Sequence, residues 1–84
     1  MNHEAVLTFE YATPARARRV ERSLIPEVGD IDDERSQTRL RRNGETLELV
    51  VEAADLVALR AGMNTWLSLV TVAERAGDVF SPAG

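Results

Sequence analysis

The first residues of the chain alternate between apolar and polar side chains. One face of residues 4–11 carries Ala5, Leu7, Phe9 and Tyr11. The other face carries Glu4, Val6, Thr8 and Glu10. A period of two residues is typical of a strand with one buried face. The sequence therefore predicts a half-buried first strand.

A helix is predicted directly after this strand. Thr13 is a suitable N-cap, and Pro14 suits the first helical position. Three apolar residues then fall on one helical stripe: Ala17, Val20 and Leu24. Pro26 cannot continue a helix, so we expect this one to span residues 14–25.

Two further alternating segments, residues 35–42 and 45–53, flank the dipeptide Asn43-Gly44. Both residues of the dipeptide tolerate positive φ, which predicts a tight hairpin. The inward side chains are Thr38, Leu40, Leu47, Leu49 and Val51. The outward charges, including one from the first strand, are Arg35, Arg39, Arg41, Glu48, Glu52 and Glu10. Opposite charges on neighbouring strands stabilise such an exposed surface.

A second, longer helix is predicted for residues 56–75, with Asp55 as its N-cap and Gly77 as its end. Its core stripe is Leu56, Leu59, Met63, Trp66, Leu67 and Val70. A second stripe of small and apolar residues consists of Ala58, Gly62, Thr65, Leu69 and Val72. A helix with so little charge around its circumference is expected to be covered on all sides. Either the first helix or another chain covers the second stripe, and we expect a protein interface there.

These elements predict one α+β domain with the order β-α-β-β-α. A right-handed crossover places the third strand in the middle of a three-stranded antiparallel sheet, with two helices on one face. The first strand then has an open edge, which proteins normally cover or pair. We assign residues 1–76 to the domain and residues 77–84 to a loosely ordered tail. A core this small favours association with a partner.

The chain offers little that could carry out chemistry. It has no cysteine, and its single histidine is His3, at a terminus. Catalytic triads, phosphate loops and dinucleotide fingerprints are missing, and the acidic run over residues 30–34 lacks the register of a calcium loop. We therefore predict no catalytic, cofactor-binding or metal-binding residues, and no enzyme activity.

The charge composition and the pattern of apolar residues indicate the kind of organism and the cellular compartment. Ten basic residues, all arginine, stand against 14 acidic ones for a net charge of −4. Arginine without lysine in an acidic chain is explained by a GC-rich genome or by a high-salt cytoplasm, and the combination of the two indicates a salt-loving archaeon. The N-terminus does not have the pattern of a signal peptide, and Arg60 and Asn64 interrupt the most apolar segment. We expect a cytoplasmic protein.

The first helix carries a basic cluster that supports a different function. Its arginines are candidate RNA contacts: Arg16, Arg18, Arg19 and Arg22. Guanidinium groups bind phosphates well, so a small stand-alone RNA-binding domain is the alternative to a protein-interaction domain. A solvated helix face offset by nearby acids also explains the cluster.

Three segments resemble a known family. They are F-E-Y followed by P-A-R-A within residues 9–17, S-L-I-P-E at residues 23–27, and D-L-V-A-L-R-A-G-M-N-T-W-L at residues 55–67. Together they resemble the small dimerising subunit of the archaeal and eukaryotic KEOPS complex. The likeness spans about residues 4–75, and the second-helix run is its most distinctive part.

The resemblance implies a non-catalytic role in forming threonylcarbamoyladenosine in tRNA. It implies a homodimer in which each copy docks the catalytic threonylcarbamoyl-transferase subunit, so that tRNA is reached through the complex. Iron or zinc and ATP would belong to that partner, and this chain would need no cofactor. The acidic residues 30–34 and the missing lysines depart from the family and weigh against direct tRNA contact.

Overall fold

A computed structural model describes residues 2–29 and 35–80, with the backbone alone for residues 77–80. The strands are β1, His3–Glu10; β2, Ser36–Asn43; and β3, Thr46–Ala53. The helices are α1, Pro14–Leu24, which a short 3-10 turn at Ile25–Glu27 extends, and α2, Leu56–Phe80. The order β-α-β-β-α is as predicted.

The three strands form one antiparallel sheet in the order β1-β3-β2. Leu7 of β1 and Leu40 of β2 both lie opposite Leu49 of β3, so an apolar row crosses the sheet. Both helices pack on the face that carries this row. The predicted fold class and the central position of the third strand are confirmed.

The core lies between the sheet and the two helices. Its fully buried residues are Val20, Leu24, Leu47, Leu49, Val51, Trp66 and Val70. Removing a side chain of this size from water stabilises a fold by about 1.5–3 kcal/mol. Leu7, Phe9, Tyr11 and Leu40 pack against the margin of this cluster.

Both helices begin with the caps that the sequence predicts. The Thr13 hydroxyl accepts a hydrogen bond from the Arg16 backbone N–H at 3.1 Å. The Asp55 carboxylate accepts one from the Ala58 backbone N–H at 2.8 Å and also pairs with Arg35. The bond from Ala58 and then the Arg35 guanidinium lower the pKa of Asp55. This carboxylate thereby ties the start of β2 to the start of α2.

The predicted end of α2 was wrong. The helix does not stop at Gly77 but continues through it to Phe80, for a length of 25 residues. Glycine inside a helix costs about 1 kcal/mol, but it ends the helix only when it adopts the left-handed conformation. Gly77 remains helical here. Residues 81–84 of the predicted tail and the acidic residues 30–34 lie outside the described residues.

The rotation of α2 also differs from the prediction. Trp66 and Val70 are buried as expected, but Leu56 and Leu67 of the predicted core stripe are 57% and 41% exposed. Gly62, which was expected to face another chain, instead lies against β3. A Cβ atom added to Gly62 would be 3.0 Å from the Val51 Cγ1 atom. The missing side chain allows α2 to pack closely on the sheet.

Candidate protein interaction surface

The side of α2 that faces away from the sheet carries a stripe of uncharged residues. We call it the outer stripe of α2, and it consists of Val57, Ala61, Thr65, Ser68 and Val72. Spacings of three and four residues place these side chains on one side of a helix. All five are exposed, and Val57 and Val72 are 74% and 63% exposed. Two exposed valines joined by small uncharged residues on one helix face are compatible with a binding surface.

The structure divides the five residues of the predicted interface among three environments. Thr65 and Val72 are exposed on the outer stripe, whereas Ala58 and Leu69 are half-buried at its margin, and Gly62 faces Val51. The sequence reasoning missed Val57, Ala61 and Ser68. Their spacing of three or four residues from one another and from Thr65 was the available signal.

The first helix covers only part of α2. With 11 residues α1 is about 16 Å long, whereas the 25 residues of α2 extend over about 37 Å. A groove between the helices is lined by Ser23, Leu24, Glu27, Leu69, Val72, Ala73 and Ala76. Nearer the start of α2, a second groove is lined by Arg35, Ser36, Val57, Ala58, Ala61, Gly62 and Thr65, without residues of α1. The coverage by α1 therefore leaves much of the outer stripe exposed.

The outer face of the sheet carries the predicted pattern of opposite charges. Arg39 Nη2 lies 2.9 Å from Glu52 Oε1, and Arg41 lies opposite Glu48 in the strand register. The aromatic residues of β1 and its end, Phe9 and Tyr11, pack on the core side instead. This arrangement does not match an RNA-recognition sheet, which stacks bases on exposed aromatic rings.

The arginines of α1 fall into two groups. Arg18, Arg19 and Arg22 are exposed, on the side of α1 opposite its buried residues. Among the described residues, none of these three guanidinium groups has a carboxylate partner. Arg16 is half-buried and close enough to Tyr11 to influence its pKa. The structure therefore keeps three of the four candidate RNA contacts on one surface.

A partly buried hydroxyl group links the end of β1 to the C-terminal part of α2. The Tyr11 hydroxyl donates a hydrogen bond to Glu74 Oε2 at 2.7 Å. Partial burial and this hydrogen bond raise the pKa of Tyr11 far above its usual range. Glu74 thus marks the flank of α2 that lies toward β1.

The described residues contain no group of three or more His, Asp or Glu side chains that could hold a metal ion. By length and composition, residues 56–76 of α2 could cross a membrane. The same helix packs Trp66 and Val70 into the core of its own domain, and the core helix of a soluble protein meets the same criterion. This feature is therefore weak support for a membrane span.

The fold and the outer stripe define a small α+β domain whose helical layer is only partly covered by the described residues of its own chain. The chain belongs to the Pcc1 family: the model of the family described as "Transcription factor Pcc1" matches residues 4–78. Pcc1 is a non-catalytic subunit of the KEOPS complex. The resemblance seen in the sequence is therefore confirmed.

Among solved structures, the chain is similar to a chain of the "Crystal structure of binary complex Gon7-Pcc1". The TM-score is 0.83 at 19% sequence identity, and the match covers 95% of this chain and 98% of the other. At this identity the likeness shows the fold alone. A search of curated proteins gave no match.

Proposed function

We propose that this chain is the dimerisation and scaffold subunit of a KEOPS complex. It docks the catalytic threonylcarbamoyl-transferase subunit, which modifies tRNA, and takes no part in the chemistry itself. The observation that carries this proposal is the outer stripe of α2, which is uncharged, exposed and only partly covered by α1. Membership of the Pcc1 family supports it independently.

The outer stripe of α2 is the docking surface for the catalytic subunit in this proposal. Ala61, Thr65 and Ser68 are small, so a helix of the partner can approach α2 closely. Val57 and Val72 gain most from being covered, because they are the most exposed large apolar residues on this side. Ala58 and Leu69 line the two grooves at the margin, where a partner helix would also make contact.

The scaffold acts as a homodimer. An 84-residue chain can build only a small core, and both β1 and β2 are edge strands. Pairing with a second copy stabilises the core and covers one of these edges. The arginine-only basic residues and the net charge of −4 support an archaeal, high-salt cytoplasm as the setting.

Two measurements test the proposal. Multi-angle light scattering of the purified chain should give the mass of a dimer at micromolar concentration. Co-expression with the catalytic KEOPS subunit of the same genome should give a complex that survives affinity capture and gel filtration. A monomer that does not bind the catalytic subunit would overturn the proposal.

The arginines of α1 favour a second candidate, a small stand-alone RNA-binding domain. Arg18, Arg19 and Arg22 form a basic surface without carboxylate partners among the described residues. Such a domain would bind tRNA on its own, with an affinity that falls steeply as salt increases. Replacing the three arginines by glutamine would then abolish binding. Absence of tRNA binding by the isolated dimer would favour the scaffold.

A further inference from the structure

The edge of the sheet at β2 presents backbone groups in a fixed pattern. The Ala54 N–H donates to the Arg35 carbonyl at 2.8 Å, so the odd-numbered residues of β2 exchange hydrogen bonds with β3. The even-numbered residues therefore direct their N–H and C=O groups away from β3. At the centre of the strand these residues are Thr38 and Leu40. Such an edge is a template for one further strand.

A groove follows this edge and reaches both faces of the sheet. Its volume is about 560 Å³, and its lining comprises Val28, Thr38, Arg39, Leu40, Arg41, Glu48 and Val50. On the side of the helices, Val28 and Leu40 are half-buried and pack against the core cluster. On the outer face, Arg39 and Arg41 are exposed. A strand added here would contact apolar side chains on one face and guanidinium groups on the other.

The two arginines determine the charge of a strand that fits. Arg39 forms an ion pair with Glu52, yet its side chain is 68% exposed. Arg41 lies opposite Glu48 but has no ion pair among the described residues. With an added antiparallel strand, the odd-numbered residues of β2 form the non-hydrogen-bonded pairs, in which side chains approach each other most closely. Acidic side chains opposite the arginines would therefore stabilise the pairing.

A second copy of the chain does not supply such a strand. Every register that pairs the centre of β2 with β2 of a copy places Arg39 or Arg41 opposite an arginine, which is destabilising. The first strand of a copy carries Glu4 and Glu10. A contact between β1 and β2 of different copies is head to tail, however, and generates an open filament instead of a closed assembly. The strand that fits belongs to a different polypeptide.

A peptide matches this edge better than a nucleic acid does. Glu48 and Glu52 lie on the outer face directly beside the two arginines, where they would repel phosphate groups. An extended peptide, in contrast, offers alternating N–H and C=O groups that pair with those of Thr38 and Leu40. Affinity in this binding mode comes from the main chain, and specificity comes from the alternate side chains.

We propose that the β2 edge binds an extended acidic segment of another protein as a fourth strand, antiparallel to β2. Acidic residues of the segment lie opposite Arg39 and Arg41, and the apolar residues between them lie on the side of Val28 and Leu40. The segment is thus recognised by an alternation of acidic and apolar residues. This site is separate from the outer stripe of α2, and it does not depend on the proposed scaffold role.

A fluorescent peptide with the sequence G-S-E-V-E-V-E-S-G tests the site by fluorescence polarisation with the purified protein. We expect saturable binding that weakens as salt increases, because two ion pairs contribute to it. The isomer G-S-V-E-E-E-V-S-G has the same composition without the alternation and should bind more weakly by about tenfold or more. N-methylation of the two valines, whose N–H groups face β2, should abolish binding. N-methylation of two glutamates, whose N–H groups face away, should preserve it.

A pair of double variants locates the peptide on the protein. Arg39→Gln with Arg41→Gln should raise the dissociation constant of the peptide by about tenfold or more. Arg19→Gln with Arg22→Gln removes the same charge from the exposed side of α1 and should bind the peptide like wild type. Circular dichroism checks that both variants are folded. Equal losses in the two double variants, or equal binding of the two methylated peptides, would show non-specific attraction and overturn the proposal.

Three other outcomes would also overturn it. If no peptide binds, the arginines only keep the edge from pairing. If a single-stranded oligouridine binds with the same dependence on Arg39 and Arg41 while the peptide does not, the surface binds RNA. If the peptide binds only after residues 30–34 are replaced by glycine and serine, the acidic run of the same chain excludes other segments. The mass of the dimer and the binding of the catalytic subunit are measured separately, so each of these failures leaves the scaffold proposal intact.

Discussion

Trp66 of α2 donates a hydrogen bond from its indole Nε1 to the Thr38 Oγ1 atom of β2, at 3.0 Å. The indole ring is fully buried, and Thr38 is 8% exposed. The bond satisfies the one polar atom of the tryptophan side chain inside the core. It also connects α2 to an edge strand of the sheet and thereby helps to fix the rotation of the helix.

Thr38→Val should destabilise the domain although it keeps the shape of the side chain. The substitution leaves the buried indole N–H without an acceptor, which costs about 1–3 kcal/mol. Urea unfolding followed by circular dichroism, at one fixed protein concentration, measures the loss. In a Trp66→Phe background the same substitution should cost much less, because the N–H is gone. Equal costs in both backgrounds would show that the bond contributes nothing.

Gly62→Ala should also destabilise the domain, against the usual trend. In a helix alanine is ordinarily more favourable than glycine by about 1 kcal/mol. Here the new Cβ would lie 3.0 Å from Val51 Cγ1, and overpacking of a core typically costs about 1–3 kcal/mol. Thermal melting of Gly62→Ala in wild-type and Val51→Ala backgrounds provides the check. In the Val51→Ala background, Gly62→Ala should stabilise the domain. Stabilisation by Gly62→Ala in both backgrounds would contradict the close packing.

Gly62 also shows where sequence reasoning reached its limit. The hairpin turn was predicted at Asn43-Gly44, but Asn43 is the last residue of β2, opposite Thr46, and the turn consists of Gly44 and Glu45. The strands, the hairpin and the helix starts nevertheless follow from local signals, such as the alternation in β1, the glycine of the hairpin turn and the Asp55 cap. The rotation of α2 does not follow from local signals. Only Arg60 is charged over residues 56–73, so the pattern of charge does not show which side of the helix is exposed. Contacts between distant parts of the chain decide the rotation, namely the bonds from Trp66 to Thr38 and from Tyr11 to Glu74.

The candidate interaction surface could likewise be predicted only in part. An excess of uncharged residues on α2 indicated that a surface needed covering, and this signal is independent of helix rotation. Assigning residues to that surface required the rotation: Thr65 and Val72 are exposed, whereas Gly62 is half-buried and lies against Val51 while it also lines a surface groove.

The pH dependence of stability at alkaline pH should report on Tyr11 alone. The chain has one tyrosine, no cysteine and no lysine. Between about pH 9 and pH 12 no other side chain titrates. Burial and the hydrogen bond to Glu74 raise the pKa of Tyr11 in the folded protein above its value of about 10 in the unfolded chain.

The direction in which stability changes with pH follows from the raised pKa of Tyr11. Because the folded state favours the neutral phenol, this stabilisation is fully present below about pH 10 and is lost as the pH rises toward the raised pKa. The free energy of unfolding in urea should therefore fall above about pH 10 in wild type. Tyr11→Phe should be less stable at neutral pH and nearly independent of pH in this window. A parallel decline in both proteins would contradict the assignment.

Val72→Asp and Thr65→Asp should separate docking of the catalytic subunit from folding. Both side chains are exposed on the outer stripe of α2, so the dimer alone can leave a carboxylate there in water. We expect circular dichroism, melting temperature and dimer mass close to wild type. An unpaired charge in a dry interface costs several kcal/mol, which corresponds to a loss of affinity of about a hundredfold or more. Titration calorimetry with the catalytic subunit measures that loss.

Asn43→Asp adds the same charge at the hairpin, away from both helices, and should bind normally. If the two helix variants also bind normally, the catalytic subunit docks elsewhere, and if they unfold, the outer stripe is part of the core.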